Sequence, residues 1–222
     1  MKILVAGANG NTGFRLVRLL SGASKDTRAM IRDPAQAGRM EGAGAEAITA
    51  DLEGDAGNNI ARAVEGCGAV MFAAGGGRGS GPEKKESVDH MGAVRLIEAA
   101  EAAGARRFVL LSSIRVDYPA NWPEHLRAYL VAKEKSDRRL LASDLDYTIV
   151  RPGRLTDDPG GGHVAAARSD AAGRSHEGRG GEIARDDVAA VMAACLDFGN
   201  TRRAIIDLLA GEVSIPEALA AI

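Results

Sequence analysis

The segment Gly7-Ala8-Asn9-Gly10-Asn11-Thr12-Gly13 stands between a run of strand character, Lys2 to Ala6, and a helical pattern with Leu16, Leu19 and Leu20 on one stripe. Three glycines at such a junction fit a chain that turns sharply from strand into helix and keeps its backbone open to a bound group. The first turn of a helix carries free amides and partial positive charge, so a pyrophosphate is the group that this turn suits. Strand, glycine turn and amphipathic helix in that order are the opening unit of a dinucleotide-binding α/β domain.

The rest of the chain repeats the alternation. Arg28 to Ile31, Ala45 to Thr49, Ala69 to Ala73, Phe108 to Leu111 and Tyr147 to Val150 read as strands, with helical patterns between most of them. Val94, Leu96, Ile97, Ala99 and Ala100 form the apolar stripe of the helix after the fourth strand. This alternation predicts a doubly wound parallel sheet with helices on both faces, a Rossmann-like three-layer α/β/α fold. The 222 residues fit one domain, 1–222, with substrate-side loops over about 153–185 as a small C-terminal extension. Past Pro152 a short strand is expected at His163 to Ala167 and a helix at Asp186-Asp187, whose carboxylates suit its first amides. A last strand is expected at Ala204 to Leu208 and a short helix from Ser214.

Charge and composition exclude other classes. Lys plus Arg total 28 against 30 for Asp plus Glu, and aromatic residues are 4%, so neither a basic field nor ring platforms await a nucleic acid. The apolar start, Ile3 to Ala6, is too short for the core of a signal peptide, and no run approaches the ~18 residues of a membrane span. A cytoplasmic protein, without nucleic-acid or membrane partner and monomeric or homodimeric, is the expectation. Cys67 and Cys195 lie far apart and read as buried thiols, while His90, His125, His163 and His176 lack the spacing of a metal site. The pairs Arg106-Arg107, Arg138-Arg139 and Arg202-Arg203 read as solvated helix ends and strand entries.

The glycine spacing, G-x-x-G-x-x-G, resembles that of the short-chain dehydrogenase/reductase superfamily in its extended and atypical branches, NmrA-like relatives included. In the first turn the resemblance assigns Gly7, Asn9, Gly10, Asn11, Thr12 and Gly13 to the cofactor. Arg32, in Ile31-Arg32-Asp33-Pro34, is similar to the arginine that meets the 2′-phosphate of NADP, and a guanidinium matches a dianionic phosphate well. Asp51-Leu52 looks like the pair that contacts adenine, Ala73-Ala74-Gly75 like the fourth-strand exit beside the ribose, and Pro152 like the turn that passes the nicotinamide.

Tyr129 and Lys133 form a Tyr-x-x-x-Lys, and positions four apart share one helix face. In the superfamily such a Tyr is the general acid or base, and its Lys binds ribose hydroxyls and lowers the phenol's pKa. Ser113 stands where the substrate-orienting Ser is found, and Asp89 where most members carry Asn. An ionised carboxylate there cannot donate as an amide does. The resemblance implies an NADP-dependent oxidoreductase, with NAD as the alternative cofactor, acting on a small carbonyl, quinone or flavin-like substrate. The other readings are a cofactor-binding sensor and a sugar epimerase or dehydratase.

Overall fold

Along the first strand, β1 (Lys2–Ala6), Ile3 and Val5 face one helical layer and Leu4 and Ala6 face the other, all four being buried. A strand covered on both sides needs an apolar residue at every position, as central parallel strands do. The computed structural model, which describes residues 1–54, 58–77, 79–169 and 181–222, sets β1 in the interior of a nine-stranded sheet, third from one edge. Around it run β2 (Thr27–Ile31), β3 (Glu46–Thr49), β4 (Cys67–Phe72), β5 (Arg107–Leu111) and β6 (Asp146–Pro152). Their spatial order is β3-β2-β1-β4-β5-β6 and every pairing among them is parallel. The winding reverses between β1 and β4, which opens a crevice at the carboxyl ends of the strands.

Helices cover both faces. On the Ile3 side lie α1 (Asn11–Gly22), α7 (Arg185–Ala194) and α8 (Ile215–Ala220), and on the Leu4 side α3 (Asn59–Val64), α5 (Met91–Ala103) and the end of α6 (Arg127–Leu141). Two short helices, α2 (Ala37–Glu41) and α4 (Pro82–Lys84), lie between strands. The stripe of α1 is rotated from its expected position. Leu16, Val17 and Leu20 are buried, whereas Leu19 is 43% exposed.

The C-terminal third departs from the expected loops. Within 153–185, β7 (Arg154–Thr156) and β9 (Glu182–Ala184) pair as a small sheet, and β8 (His163–Ser169) joins the main one. There β10 (Ala204–Ala210) extends the parallel order beside β6, while β8 and β11 (Val213–Ser214) add antiparallel edges. The expected residue His176 lies outside the described residues. Asp187 also differs from expectation, since its carboxylate accepts from the amides of Gly161 and Gly162 at 3.1 and 2.8 Å instead of capping its own helix.

Arg107 corrects the reading of the arginine pairs. It is buried, and its guanidinium donates to the Asp146 and Cys195 carbonyls at 2.5 and 2.9 Å and to Thr148 Oγ1 at 2.5 Å, tying β5, β6 and the end of α7 together. Cys67 and Cys195 are both buried and unbonded to each other.

Candidate active site

Each glycine of the first turn answers to a different neighbour. Gly7 has a φ of +78°, and a Cβ on it would stand 2.6 Å from the Ala74 backbone, so the exit of β4 closes directly on the turn. A Cβ on Gly13 would fall 2.1 Å from the Gly7 carbonyl oxygen. Gly10 is different, because its φ of −73° suits any residue and its Cβ would meet only the Gly7 oxygen, at 3.2 Å. Nothing inside the fold strongly demands glycine there, which leaves the approach of an outside group as the reason. Gly10 also precedes α1, a helix that starts with no side-chain cap and no acidic residue in its first turn. Free amides beside an open backbone fit a pyrophosphate.

The adenosine end of the crevice is lined by exposed charge. Arg32 sits at the end of β2 with its side chain 64% exposed, 3.6 Å from Glu53. Asp33 turns away, its carboxylate accepting from the Ala35 amide at 2.9 Å to cap the turn at Pro34. Asp51 accepts from the Glu53 amide at 3.0 Å, and Leu52 is buried beside α5. Arg39, which the sequence reading passed over, stacks 3.6 Å above the Phe14 ring and donates to Asn9 Oδ1 at 2.5 Å. A second cation seven positions after Arg32 was the available signal. Only the fold shows that it reaches the glycine turn.

At the other end, α6 carries Tyr129, Lys133 and Asp137 on one face at successive fourth positions. Lys133 is buried, donates to the Leu111 carbonyl at 3.0 Å and faces Asp89 Oδ1 at 3.5 Å. Asp89 is delivered by a π-helical turn, Lys85–His90, a form often found at functional sites. Its other oxygen accepts from the Gly76 amide at 2.7 Å, so one carboxylate braces both the lysine and the β4 exit loop. Burial alone would lower the Lys133 pKa, but Asp89, Tyr129 and Asp137 hold it above its ordinary value, and the ammonium stays charged.

Tyr129 is partly buried, with its phenol hydrogen-bonded to Ser113. Burial pushes the phenol above its ordinary pKa; Lys133 pulls the other way, Asp89 and Asp137 add to the rise, and Ser113 opposes it. The pull of Lys133 has the expected sign, and burial with the two carboxylates outweighs it.

Beneath this pair lies a network that sequence reasoning missed. Asp137 accepts from Arg151 Nε at 3.0 Å, and the same guanidinium pairs with Asp117. Burial raises the Asp137 carboxyl to about 6 against the pull of Arg151, Ser112 and Lys133. Arg151 itself, which burial would discharge, is held charged by Asp137, Asp117 and Asp207. Pro152, one residue on, closes β6, its carbonyl accepting from the Ile114 amide at 3.1 Å. Among the described residues no group of three or more His, Cys, Asp or Glu could hold a metal, and no helix is long and apolar enough to cross a membrane.

A family model described as NAD(P)H-binding matches residues 7–198. The chain belongs to this NAD(P)H-binding family. A nicotinamide dinucleotide is therefore the cofactor that the family binds. Among the family's relatives, an uncharacterized sugar epimerase, YhfK of Bacillus subtilis, is 44% identical over 99% of both chains. A Bacillus halodurans protein with a provisional NAD-dependent epimerase/dehydratase label superposes with a TM-score of 0.92 at 34% identity over 100% of both chains. The oxidoreductase ylbE of Lactococcus lactis follows at 0.86 and 28%, over 100% of this chain and 96% of that one. A Veillonella parvula short-chain dehydrogenase/reductase, solved with NADP, shares the fold at a TM-score of 0.70 and 16% identity, covering 94% of each chain.

Proposed function

We propose that the chain is an NADP-dependent oxidoreductase of the short-chain dehydrogenase/reductase type that works as a reductase on a small carbonyl, quinone or flavin-like substrate. The observation that carries this reading is the placement of Tyr129 and Lys133 one turn apart on α6, with Lys133 Nζ 5.8 Å from the Tyr129 ring centroid and held by the Leu111 carbonyl and Asp89, and with Ser113 bonded to the phenol. When bound, the cofactor supplies the hydride. Tyr129 gives its Oη proton to the oxygen of the substrate, so that carbonyl, hydride and proton together make the alcohol. Lys133 steadies the phenolate left behind, and solvent returns its proton. Ser113 donates to the substrate oxygen as negative charge develops there. Asp89 acts through others, holding Lys133 and the Gly75-Gly76 backbone in place and donating nothing.

The NADP preference rests on Arg32 and Arg39 at the adenosine end, and on Asp33, whose carboxylate is engaged in its own turn instead of awaiting a ribose hydroxyl. A cofactor-binding sensor would have no use for the buried Tyr129-Lys133-Asp89 arrangement.

The test is NADPH oxidation against a panel of quinones, flavins, aldehydes and ketones, run beside Tyr129→Phe. Turnover that falls ~100-fold or more in the variant supports the reading, as expected for loss of a general acid. Turnover indifferent to the substitution removes Tyr129 from the chemistry, and firm NADPH binding without turnover favours the sensor.

A further inference from the structure

The Tyr129 ring has two ammonium groups at nearly equal range: Lys133 Nζ lies 5.8 Å and Lys85 Nζ 5.7 Å from its centroid. They differ in what neutralises them. Lys133 is buried against Asp89 and belongs to the machinery already described. Lys85, half-buried at the start of the π-helical turn, donates to the Gly77 carbonyl at 2.7 Å and enters no ion pair among the described residues. Carboxylates close to it in the chain are engaged elsewhere. Glu86 holds His90 and Lys135 at 2.8 and 3.0 Å. Glu53 holds Lys84 and Ser87, and Asp89 holds Lys133 and Gly76. Glu83, two positions back, lies on another face of the helical turn.

An ammonium has three donors, and one neutral carbonyl occupies only one of them. A carboxylate would fill the remaining donors and neutralise the charge, which the Gly77 carbonyl does not. The Tyr129 ring itself packs against a small buried cluster of Val116, Trp122 and Leu130. We infer that Lys85 is the anion subsite of the substrate pocket, and that the substrate is a carbonyl compound with a carboxylate or comparable anionic group. This rests on the reading of Tyr129 as proton donor, since the reacting oxygen must lie at the phenol for Lys85 to face the rest of the molecule.

The experiment compares 4-carboxybenzaldehyde with benzaldehyde as probes, following NADPH consumption by the wild-type protein and by Lys85→Gln, Lys85→Arg and Lys85→Glu. A preference for the acid of about tenfold or more in kcat/KM is expected in the wild type. That ratio is expected to collapse through KM in Lys85→Gln, to survive in Lys85→Arg and to invert in Lys85→Glu. An unchanged ratio, or an equal loss of kcat on both aldehydes, overturns the assignment and leaves Lys85 as a support for the phenol or the loop. If neither aldehyde is turned over, the oxidoreductase reading is what fails on these probes, and binding of 4-carboxybenzoate to the NADPH-loaded protein decides the subsite. Binding lost in Lys85→Gln supports it; absent or unaltered binding overturns it.

Discussion

The two ends of the crevice are built from the same kinds of charge in opposite surroundings. At the Tyr129 end, the side chains of Lys133, Asp89, Arg151 and Asp137 are each 4% exposed or less. At the adenosine end, Arg32, Lys84 and Glu53 are 64, 38 and 25% exposed. Buried charges hold one another in fixed geometry because a stranded partner has no water to turn to. Exposed ones can release each other at little cost when a ligand arrives. On the proposed reading, the dry end is fixed in advance for proton transfer, and the wet end is arranged to exchange partners for a phosphate.

Arg151 puts this difference to its hardest test. Arg151→Ala removes the guanidinium partner of the buried Asp137, and a loss of about 3–5 kcal/mol in chemical denaturation is expected. A loss below ~1 kcal/mol would mean that the two ends do not differ as described.

Asp137 gives a pH signature of the same burial. Its folded pKa of about 6 lies above the ordinary 3.8, so the fold favours the protonated carboxyl. The stability this contributes is fully present below pH ~4 and is lost as pH rises through about 6, an effect on the order of 3 kcal/mol. Asp137→Asn cannot titrate. The difference in unfolding free energy, wild type minus variant, is therefore expected to fall between pH 4 and 7, whatever constant offset the lost Arg151 pairing adds. A flat difference across that range would show that Asp137 stays ionised throughout.

Much of the wet end and little of the dry end was legible in the sequence. The glycine turn, the place of Arg32 at a strand exit and the alternation of strands and helices follow from local pattern, because a turn, a strand exit and a helix face are fixed by neighbours within a few positions. Tyr129 and Lys133 were legible for the same reason, being one helical turn apart. Their electrostatics were not, since Asp89, Asp137 and Arg151 reach the pair from three elements, and only tertiary packing decides that a carboxylate is dry. Arg107 misled for that reason too: one of two adjacent arginines looks solvated until β6 and the end of α7 close over it. The strand expected at His163 to Ala167 is β8, but its antiparallel pairing with β10 and the two-residue β11 were not legible, since pairing direction and so short a strand leave no local pattern.

The smallest expected effects belong to Arg32 and Glu53, and they should run in opposite directions. In the free protein Glu53 offsets the charge of Arg32, so a 2′-phosphate has to compete with it. Arg32→Ala is expected to weaken NADPH binding about tenfold more than NADH binding in isothermal titration. Glu53→Gln removes the competitor and should strengthen NADPH binding about two- to fivefold while changing stability by less than ~1 kcal/mol. The stability value matters as much as the affinity. Glu53 also accepts from Lys84 and Ser87, and these bonds draw its carboxyl below the usual range. If their loss unfolded the β4 exit loop, the adenosine end would be as preorganised as the Tyr129 end. Parallel losses of NADPH and NADH affinity in Arg32→Ala would in turn give the 2′-phosphate to Arg39, which the Phe14 ring and Asn9 already hold beside the glycine turn.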